Sequence, residues 1–585
     1  MYYSDLAATY SAVEHASGTL DKIEEFSELL TRVSADEIES VIALTMGKIH
    51  PDWKDQPEVG IAERVAVQIV AAAAGVSESD VTALLQDVGD VGEVAEQLLT
   101  RSAQATLFSE DLTANDVYQA LDEVAHMIGT GSAREKISKM VGLLSDSEPL
   151  EAKYILRTSM GDLRLGMGDM TIIDALSVAF TGDREARSAI ERAYNVSSDL
   201  PWVARVLLSG GLTEVTEVHA QVGRPIRMMA AKKLAASDEI LEKVGGQALV
   251  EYKYDGERVQ VHKDGEKVVL FSRRQERITS QYPDVAQLVT ECLKPESCIA
   301  EAEIVAIDPD TNEMRPFQEL MRRRRKTDIA EMTEEVPVAL FFFDILYVEG
   351  KDVMSRPMPE RRRLLEDTIR SSDRVRLTTA ESVKKPDRLD EVFTEAIATG
   401  HEGVIAKAVH DESIYQAGSR SWLWIKLKAS YQEGMADSVD LVVVGAFHGR
   451  GKRTGMYGAI LAAVYDETTD TYPTVCKIGT GFTDEMLAEM KEHLDDLSRE
   501  GRHPSVESDL DADVWFEPEL VIEVLGDEIT VSPTHVAGKG ILHEGGLAIR
   551  FPRFTGRWRD DKSPTQATTV SDLVDLYRNQ RPSGS

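Results

Sequence analysis

Residues 251–258 read Glu251-Tyr252-Lys253-Tyr254-Asp255-Gly256-Glu257-Arg258, with Lys253 near the centre. The apolar residues before this stretch and the alternating residues after it predict two β-strands that meet at a bend at Gly256. Lys253 then lies at the end of a strand. A lysine becomes a good nucleophile when nearby cations or loss of water favour its neutral amine, and Arg258 is the first such cation. By itself the pattern also fits a solvated lysine in a polar turn.

Charged residues recur along the strands predicted downstream. A predicted hairpin returns the chain along the Lys253 strand and brings Arg273 beside it. In the strand at residues 299–305, a period of two puts Glu301 and Glu303 on one face, where carboxylates need a cation or a hydroxyl. The alternatives are an exposed arginine at the end of a strand and, for Glu301, a solvated carboxylate.

Residues 420–428 close this region with a strand in which Lys426 and Lys428 lie on one face. Two lysines side by side repel each other unless an anion lies between them. A triphosphate is such an anion, and the same positive field is expected to lower the pKa of Lys253. The sequence therefore predicts a phosphate site beside this lysine.

The string Lys-Tyr-Asp-Gly-Glu-Arg at residues 253–258 resembles the nucleotidyl-lysine motif of the ATP-dependent DNA ligases. Their superfamily also includes RNA ligases and messenger-RNA capping enzymes. The other motifs resemble those of the archaeal and eukaryotic replicative ligases over nearly the whole length. The resemblance implies a multidomain α and α+β chain with a helical DNA-binding domain (1–215), an antiparallel-sheet nucleotidyltransferase domain (216–430) and a C-terminal OB-fold β-barrel (431–585).

The resemblance also assigns roles to single residues. Lys253 would be the catalytic nucleophile, and Phe343 in the strand at 341–347 would stack on adenine, whereas by pattern alone it belongs to an aromatic core. Glu303 and Glu402 would hold Mg²⁺, with Mn²⁺ as an alternative, because such ions prefer a few carboxylate oxygens. The full ATP-binding set implied is Glu251, Arg258, Arg273, Glu303, Phe343, Arg420, Lys426 and Lys428.

The C-terminal region carries strands and one helix in the order of an OB-fold, a barrel often used for nucleic acid. Its cationic loop at 449–453 is free to meet phosphates. Arg559, Asp561 and Lys562 resemble the family's C-terminal motif, whose cations reach the pyrophosphate. The spacing is one residue longer than the family pattern, which leaves open which arginine does so.

The N-terminal region reads as helices, and Ser77 followed by Asp80 predicts the start of one. The glycines at 161–168 are interpreted either as backbone that meets DNA phosphates or as an ordinary loop between helices. The resemblance favours DNA. Gln104, Leu107 and Phe108 resemble a degenerate peptide for a PCNA-type sliding clamp, and a buried helix end is the alternative.

The charge balance is unusual for a partner of DNA. The chain has 585 residues, with 65 Lys and Arg against 101 Asp and Glu, so that the net charge is 65 − 101 = −36. Phosphate binding normally needs a basic surface. The acidity is spread along the chain, which suggests the solvated surface of a halophilic archaeal protein. The densest basic run, at 322–326, is either a phosphate contact or a solvated helix face.

Other classes are disfavoured by composition. The three cysteines lack the paired spacing of a zinc site or a disulfide framework, which also speaks against the bacterial NAD-dependent ligases and their zinc module. We find no signal peptide or membrane span and expect a soluble, monomeric protein in the cytoplasm, associated with the nucleoid.

The resemblance of the motifs implies that the protein is an ATP-dependent DNA ligase. It would seal nicks in duplex DNA through lysyl-AMP and a 5′-adenylated strand, in replication, repair and recombination. The alternatives are an RNA ligase or capping guanylyltransferase, which share the lysine motif, and a catalytically silent DNA-binding or clamp-associated scaffold.

Overall fold

The computed structural model describes residues 1–102, 111–129, 131–309, 311–324, 329–428, 438–449, 453–541 and 544–579. By its contacts the chain forms two compact units, Met1–Thr82 with Val91–Lys428, and Ala83–Asp90 with Ala429–Ser585. None of the helices described is long and apolar enough to cross a membrane. The finer division into three domains at residues 215 and 430 stays a prediction.

The N-terminal domain is helical, as expected. Its helices are α1 (Tyr3–His15), α2 (Thr19–Leu30), α3 (Ile38–Thr45), α4 (Glu63–Ala74), α5 (Glu78–Val88), α6 (Val91–Ser102), α7 (Ala114–His126), α8 (Ser132–Ser145), α9 (Pro149–Ser159), α10 (Asp169–Thr181), α11 (Arg187–Ser197) and α12 (Leu200–Thr216). The backbone N–H of Asp80 donates to the hydroxyl of Ser77 at 3.2 Å, and the N–H of Ser77 donates back to the Asp80 carboxylate at 3.3 Å. This reciprocal cap fixes the start of α5.

The central nucleotidyltransferase domain contains two sheets. Its strands are β1 (Ala230–Lys233), β2 (Ala248–Lys253), β3 (Glu257–Asp264), β4 (Lys267–Ser272), β5 (Ser297–Ala306), β6 (Val338–Val348), β7 (Lys351–Asp352), β8 (Val375–Leu377), β9 (Ala380–Val383), β10 (Gly403–Ala408) and β11 (Arg420–Lys428). Its helices are α13 (Ser237–Lys243), α14 (Pro283–Cys292), α15 (Phe317–Leu320), α16 (Ile329–Glu335), α17 (Met358–Thr368) and α18 (Pro386–Ala398).

The strand order of the two sheets places the predicted motifs side by side. One sheet runs β1-β11-β10-β2-β9 and the other β4-β3-β5-β6-β7, with β8 beside β6. The pairs are antiparallel as expected, except that β1 with β11 and β6 with β8 are parallel. Because β2 and β3 follow each other through the bend at Gly256 and belong to different sheets, Lys253 lies where the two sheets meet.

Two glycines allow the close approach of backbones at this meeting point. A Cβ at Gly256 would lie 2.2 Å from the carbonyl oxygen of Ile304. Gly403 has a φ of +144°, and a Cβ there would lie 2.1 Å from the carbonyl oxygen of Leu427. Both positions therefore require glycine.

The C-terminal domain is a sheet domain. It contains β12 (Val439–His448), β13 (Tyr457–Ala463), β14 (Tyr472–Ile478), β15 (Ser498–Arg499), β16 (Val506–Glu507), β17 (Val514–Phe516), β18 (Val521–Leu525), β19 (Glu528–Ser532), β20 (Gly546–Arg550) and β21 (Arg553–Trp558), with helices α19 (Asp484–Asp495) and α20 (Val570–Asn579). Its main sheet runs β15-β17-β12-β13-β14-β16, and β18 joins β12 to β21. The five strands predicted here are present, but five others, β15, β16, β17, β19 and β21, were not predicted.

Candidate active site

The register of three strands brings three charged residues together. Lys253 at the end of β2 lies opposite Gly403 of β10, which in turn lies opposite Lys428 of β11. Two residues further along, Glu251, Ile405 and Lys426 form the next row. Neighbours in register share a face of the sheet. The lysine of the central motif and the two lysines of the closing strand therefore face the same space.

That space is a cavity of about 480 Å³. All the residues that the sequence predicted for the nucleophile, for ATP and for the metal line it: Lys253, Glu251, Arg258, Arg273, Glu303, Phe343, Glu402, Arg420, Lys426 and Lys428. They come from both sheets and from segments as far apart in sequence as those of Glu251 and Lys428. The structure thus brings the predicted residues together, although their individual roles stay predictions.

Glu402 lies between two lysines. Its Oε2 is 2.5 Å from Lys253 Nζ and 2.6 Å from Lys428 Nζ. Burial acts to raise the pKa of Glu402, but the two ammonium groups outweigh it and lower that pKa to about 2. A carboxylate of this protein therefore supplies part of the negative charge that the like-charged lysines require.

The predicted lowering of the Lys253 pKa is wrong for this arrangement. Burial does act to lower it, but Glu402 and Glu303 outweigh that effect and the pKa is raised. The expected cation, Arg258, is engaged elsewhere: it donates to Glu301 at 2.8 Å and to the carbonyl oxygen of Met229 at 2.7 Å. Glu301 is likewise no solvated neighbour, because its side chain is fully buried in that ion pair.

Crowding of carboxylates around Lys253 produces a site suited to a hard cation. Burial, together with Glu402 and Asp255, raises the pKa of Glu303 to about 7, against the effect of Lys253 and Arg258. Burial and Glu402 raise the pKa of Asp255 to about 6. Carboxylates that repel each other in this way gain from a shared cation, and oxygen is the donor that Mg²⁺ prefers. The donor set therefore fits the ion that was predicted.

Three of the predicted ATP-binding cations lack a partner among the described residues, and so does Arg274, which lines the same cavity. Arg273, Arg420 and Lys426 form neither an ion pair nor a side-chain hydrogen bond there. Burial and the neighbouring Lys428 and Lys253 lower the pKa of Lys426. Arg273 and Arg420 are exposed to solvent, whereas Lys426 is partly buried, where an unpaired charge is unfavourable unless an anion is bound. These cations therefore form a positively charged surface that can bind a polyanion.

An apolar wall faces these charges. The ring of Phe343 is partly exposed and meets Trp424 edge to face, with 6.2 Å between centroids. The buried Lys407 donates to the carbonyl oxygen of Phe343 at 3.0 Å and pairs with Glu251 at 2.9 Å. Neither Lys407 nor Trp424 was assigned a role from the sequence. A lysine in the apolar strand β10 was the available signal, because such a residue needs a buried partner.

The C-terminal motif is held within its own unit. Arg559 contacts both carboxylate oxygens of Asp440 at 2.7 and 2.8 Å, and Lys562 Nζ lies 2.6 Å from Asp440 Oδ2. Arg559 also pairs with Asp561 at 2.8 Å. Asp440, on β12, was not singled out from the sequence. Through these contacts Asp440 holds the two cations of the motif, Arg559 and Lys562, next to each other.

The two side chains of the basic run that the structure describes, Arg322 and Arg323, both have partners within the protein. Arg323 is fully buried, where it pairs with Asp284 at 2.5 Å and donates to the carbonyl oxygen of Val336 at 3.0 Å. Arg322 pairs with Glu335. The prediction of a phosphate contact or a solvated face is therefore wrong for Arg323, which stabilises the interior instead. Arg325, Lys326 and the side chain of Arg324 lie outside the described part of the chain.

Two further predictions concern the N-terminal domain and the loops. The segment at 161–168 is a loop between α9 and α10, and Gly161 and Gly166 have φ values of +73° and +61°. Three predicted segments lie wholly or partly outside the described residues. They are the clamp-peptide residues Gln104, Leu107 and Phe108, the linker at 430–437, and Arg450 and Lys452 of the cationic loop. The three cysteines are free and buried.

Comparisons with known proteins cover almost the whole chain. Family models described as ATP dependent DNA ligase domain, DNA ligase N terminus and ATP dependent DNA ligase C terminal region match residues 228–428, 2–177 and 453–562. DNA ligase 2 of Thermofilum pendens is 48% identical, over 99% of this chain and 98% of that protein. The DNA ligase of Saccharolobus solfataricus is 43% identical over the same shares.

A solved structure agrees at the level of the fold. Pmar-Lig_PreS3 aligns with a TM-score of 0.55 at 16% identity, over 95% of this chain and 99% of its own. The family models together match well over half of the chain, and the cavity contains the groups that the nucleotidyl-lysine motif implies. This chain therefore belongs to the family of ATP-dependent DNA ligases.

Proposed function

We propose that this protein seals nicks in duplex DNA with ATP, and that Lys253 is the residue that becomes adenylylated. The Lys253 amine attacks the α-phosphate of ATP, a phosphoramide bond forms, and pyrophosphate leaves. The AMP then passes to the 5′-phosphate of the nick, and the 3′-hydroxyl displaces it as the strand is joined. Family membership and the closely related DNA ligases support this activity.

One observation carries the proposal: Lys253 shares a cavity with three of the predicted ATP-binding cations, Arg273, Arg420 and Lys426, that have no partner among the described residues. Phosphoryl-type transfer depends mainly on positioning and on neutralising charge. We assign these cations to the phosphates of ATP. Phe343 and Trp424 provide the apolar face for the base, and Glu251, fixed by Lys407, provides a polar group at its edge.

The pKa of Lys253 sets a further requirement. Its raised pKa keeps the amine protonated, and a protonated amine cannot attack phosphorus. Mg²⁺ bound by Glu303 and Glu402 would supply positive charge that offsets the carboxylates responsible for this. Glu303, Glu402 and Asp255 thus keep the free enzyme's nucleophile protonated until the site is occupied.

The finer predictions form part of the same proposal. We propose that the C-terminal sheet domain is an OB-fold, because its long strand β12 pairs with β13, β17 and β18 and so is shared between two parts of the sheet. Its Arg559 and Lys562 would reach the pyrophosphate. A monomer in the nucleoid, a halophilic archaeal source and binding of a PCNA-type clamp through Gln104, Leu107 and Phe108 are retained on sequence grounds alone.

The first test is formation of the covalent intermediate. The protein is incubated with ATP labelled at the α-phosphate and Mg²⁺, and an acid-stable, protein-bound label is expected in the wild type and none in Lys253→Ala. Lys384→Ala, which changes an exposed lysine of the same domain, serves as the matched control. Labelling of Lys253→Ala at the wild-type level would refute the assignment.

The second test concerns the polynucleotide. Lys253→Ala is expected to seal a nick that already carries a 5′-adenylate, because only the first step needs the lysine. Nicked duplex DNA and nicked RNA are compared in parallel, with sealing expected for DNA. Preference for RNA would support the RNA ligase alternative.

A further inference from the structure

We propose that His50, Asp122 and His126 form a binding site for a transition-metal ion such as Zn²⁺ in the N-terminal helical domain. One ligand atom from each of the three residues lies within 4.8 Å of the others. The site belongs to a different domain from the Lys253 cavity and shares no residue with it. Its ligands are two imidazoles and one carboxylate, a donor set that favours zinc, nickel or copper over magnesium.

The geometry of α7 supports the proposal. Asp122 and His126 are four residues apart, so both side chains project from one face of this helix. Asp122 Oδ1 lies 3.2 Å from His126 Nδ1 and 2.6 Å from His50 Nε2. Ligands at about 2.0–2.1 Å from a tetrahedral ion are about 3.3 Å apart. To bind one ion, the carboxylate would move by less than about 1 Å, and the two histidine ligand atoms, which lie within 4.8 Å of each other, would approach by up to about 1.5 Å.

Neighbouring groups hold the two histidines in position. Tyr118, one turn before Asp122 on α7, donates its hydroxyl to the carbonyl oxygen of Ile49 at 3.1 Å and packs edge to face against His50. His126 Nε2 lies 3.1 Å from Gln56 Oε1. In the structure His126 Nδ1 lies 2.8 Å from the carbonyl oxygen of Asp122. Metal binding through Nδ1 would replace that contact, and a proton on Nε2 would then satisfy Gln56 Oε1. Such outer hydrogen bonds are a usual feature of histidine ligands.

The exposure of the three side chains fits an open site. The side chain of His50 is 19% exposed, that of Asp122 36% and that of His126 47%. Solvent therefore reaches the ion and completes its coordination. Because His50 follows α3 and the other two ligands belong to α7, a bound ion would cross-link the segment after α3 to α7. We assign the bound ion a structural role, because cross-linking these two segments requires no nucleophile or acid beyond the three ligands.

The test uses the full-length protein and Zn²⁺ alone as the probe. Titration calorimetry is performed with excess Mg²⁺ to occupy the oxygen ligands of the Lys253 cavity. The wild type is expected to bind one equivalent of Zn²⁺, and His126→Ala, which removes an exposed side chain, is expected to bind it at least tenfold more weakly. His219→Ala, which removes another exposed histidine, should match the wild type.

Two further measurements keep the outcome clear. Zn²⁺ should raise the melting temperature of the wild type and leave that of His126→Ala and Asp122→Asn unchanged, while all the proteins melt alike without metal. Co²⁺ should give the visible absorption of a four- or five-coordinate ion in the wild type only. Equal Zn²⁺ affinity in wild type and His126→Ala, or no binding by the wild type, would overturn the proposal.

Discussion

Lys407 offers the sharpest test of how the cavity is held together. Its side chain is 1% exposed and that of Glu251 3%, and their charged atoms lie 2.9 Å apart. Lys407→Met keeps the length of the side chain but removes its charge. Glu251 is then left buried with only Arg362, at 3.4 Å. Removing one partner of a buried ion pair costs about 3–5 kcal/mol, because the remaining charge is uncompensated.

Hydrogen exchange of the backbone amides in β2 and β10 is the appropriate assay, because it reports local opening in a chain with several domains. A loss of about 3–5 kcal/mol corresponds to exchange roughly 10² to 10⁴ times faster. The double variant Lys407→Met with Glu251→Gln should recover most of this protection, since it leaves no unpaired charge. Lys384→Met, at an exposed position, is the matched control and should change little.

The reasoning would be refuted if Lys407→Met left the exchange of β2 and β10 within about fivefold of the wild type, or if the double variant exchanged as fast as the single one. The first result would mean that Glu251 does not depend on Lys407. The second would mean that packing of the lysine stem, and not its charge, stabilises these strands.

Three other predictions address the metal, the backbone and the surface. Glu303 must be ionised to bind Mg²⁺, and its pKa is raised to about 7. The Mg²⁺ concentration that half-saturates self-adenylylation should therefore rise as the pH falls below about 7. A concentration that stayed constant down to a pH of about 5.5 would contradict this. Gly403→Ala should reduce self-adenylylation strongly, because the new Cβ would lie 2.1 Å from the carbonyl oxygen of Leu427. Gly400→Ala is the control: Gly400 also has a positive φ, but no atom lies within 4 Å of the new Cβ. This control should have a small effect in the same labelling assay. The melting temperature should rise as KCl is increased from dilute buffer to about 1 M. The net charge of −36 repels itself, and salt at about 1 M screens that repulsion to a length of about 3 Å. A melting temperature independent of KCl would argue against a halophilic surface.

Local patterns in the sequence predicted those parts of the structure that depend on neighbouring residues. The bend at Gly256, the cap at Ser77 and the strand that carries Phe343 were read correctly, because dihedral preferences and alternation act over a few residues. The short strands of the C-terminal domain, such as Val514–Phe516, were missed. Strands of two or three residues form because a neighbouring strand pairs with them, and their own sequence carries little signal.

The identity of the cavity residues followed from the order of residue types along the chain, through the resemblance of the motifs at 253–258 and 420–428 to those of a known family. The ion-pair partners of these residues could not be predicted from the order of residue types along the chain. Arg258 was expected to act on Lys253 but pairs with Glu301, and Arg323 was expected at a surface but is buried against Asp284. An ion pair forms between groups that the fold brings within a few ångströms, whatever their separation in sequence.

The sequence by itself thus determined which residues this ligase has available for its chemistry: one lysine at the end of a strand, several cations and a few carboxylates. Only the tertiary structure decided the protonation of Lys253. Its pKa depends on the sum of burial and of the charges of Glu402, just before β10, and Glu303, on β5, and these two strands belong to different sheets. Because electrostatic energy varies with distance and solvent exposure, it is a property of the assembled cavity and not of any single motif.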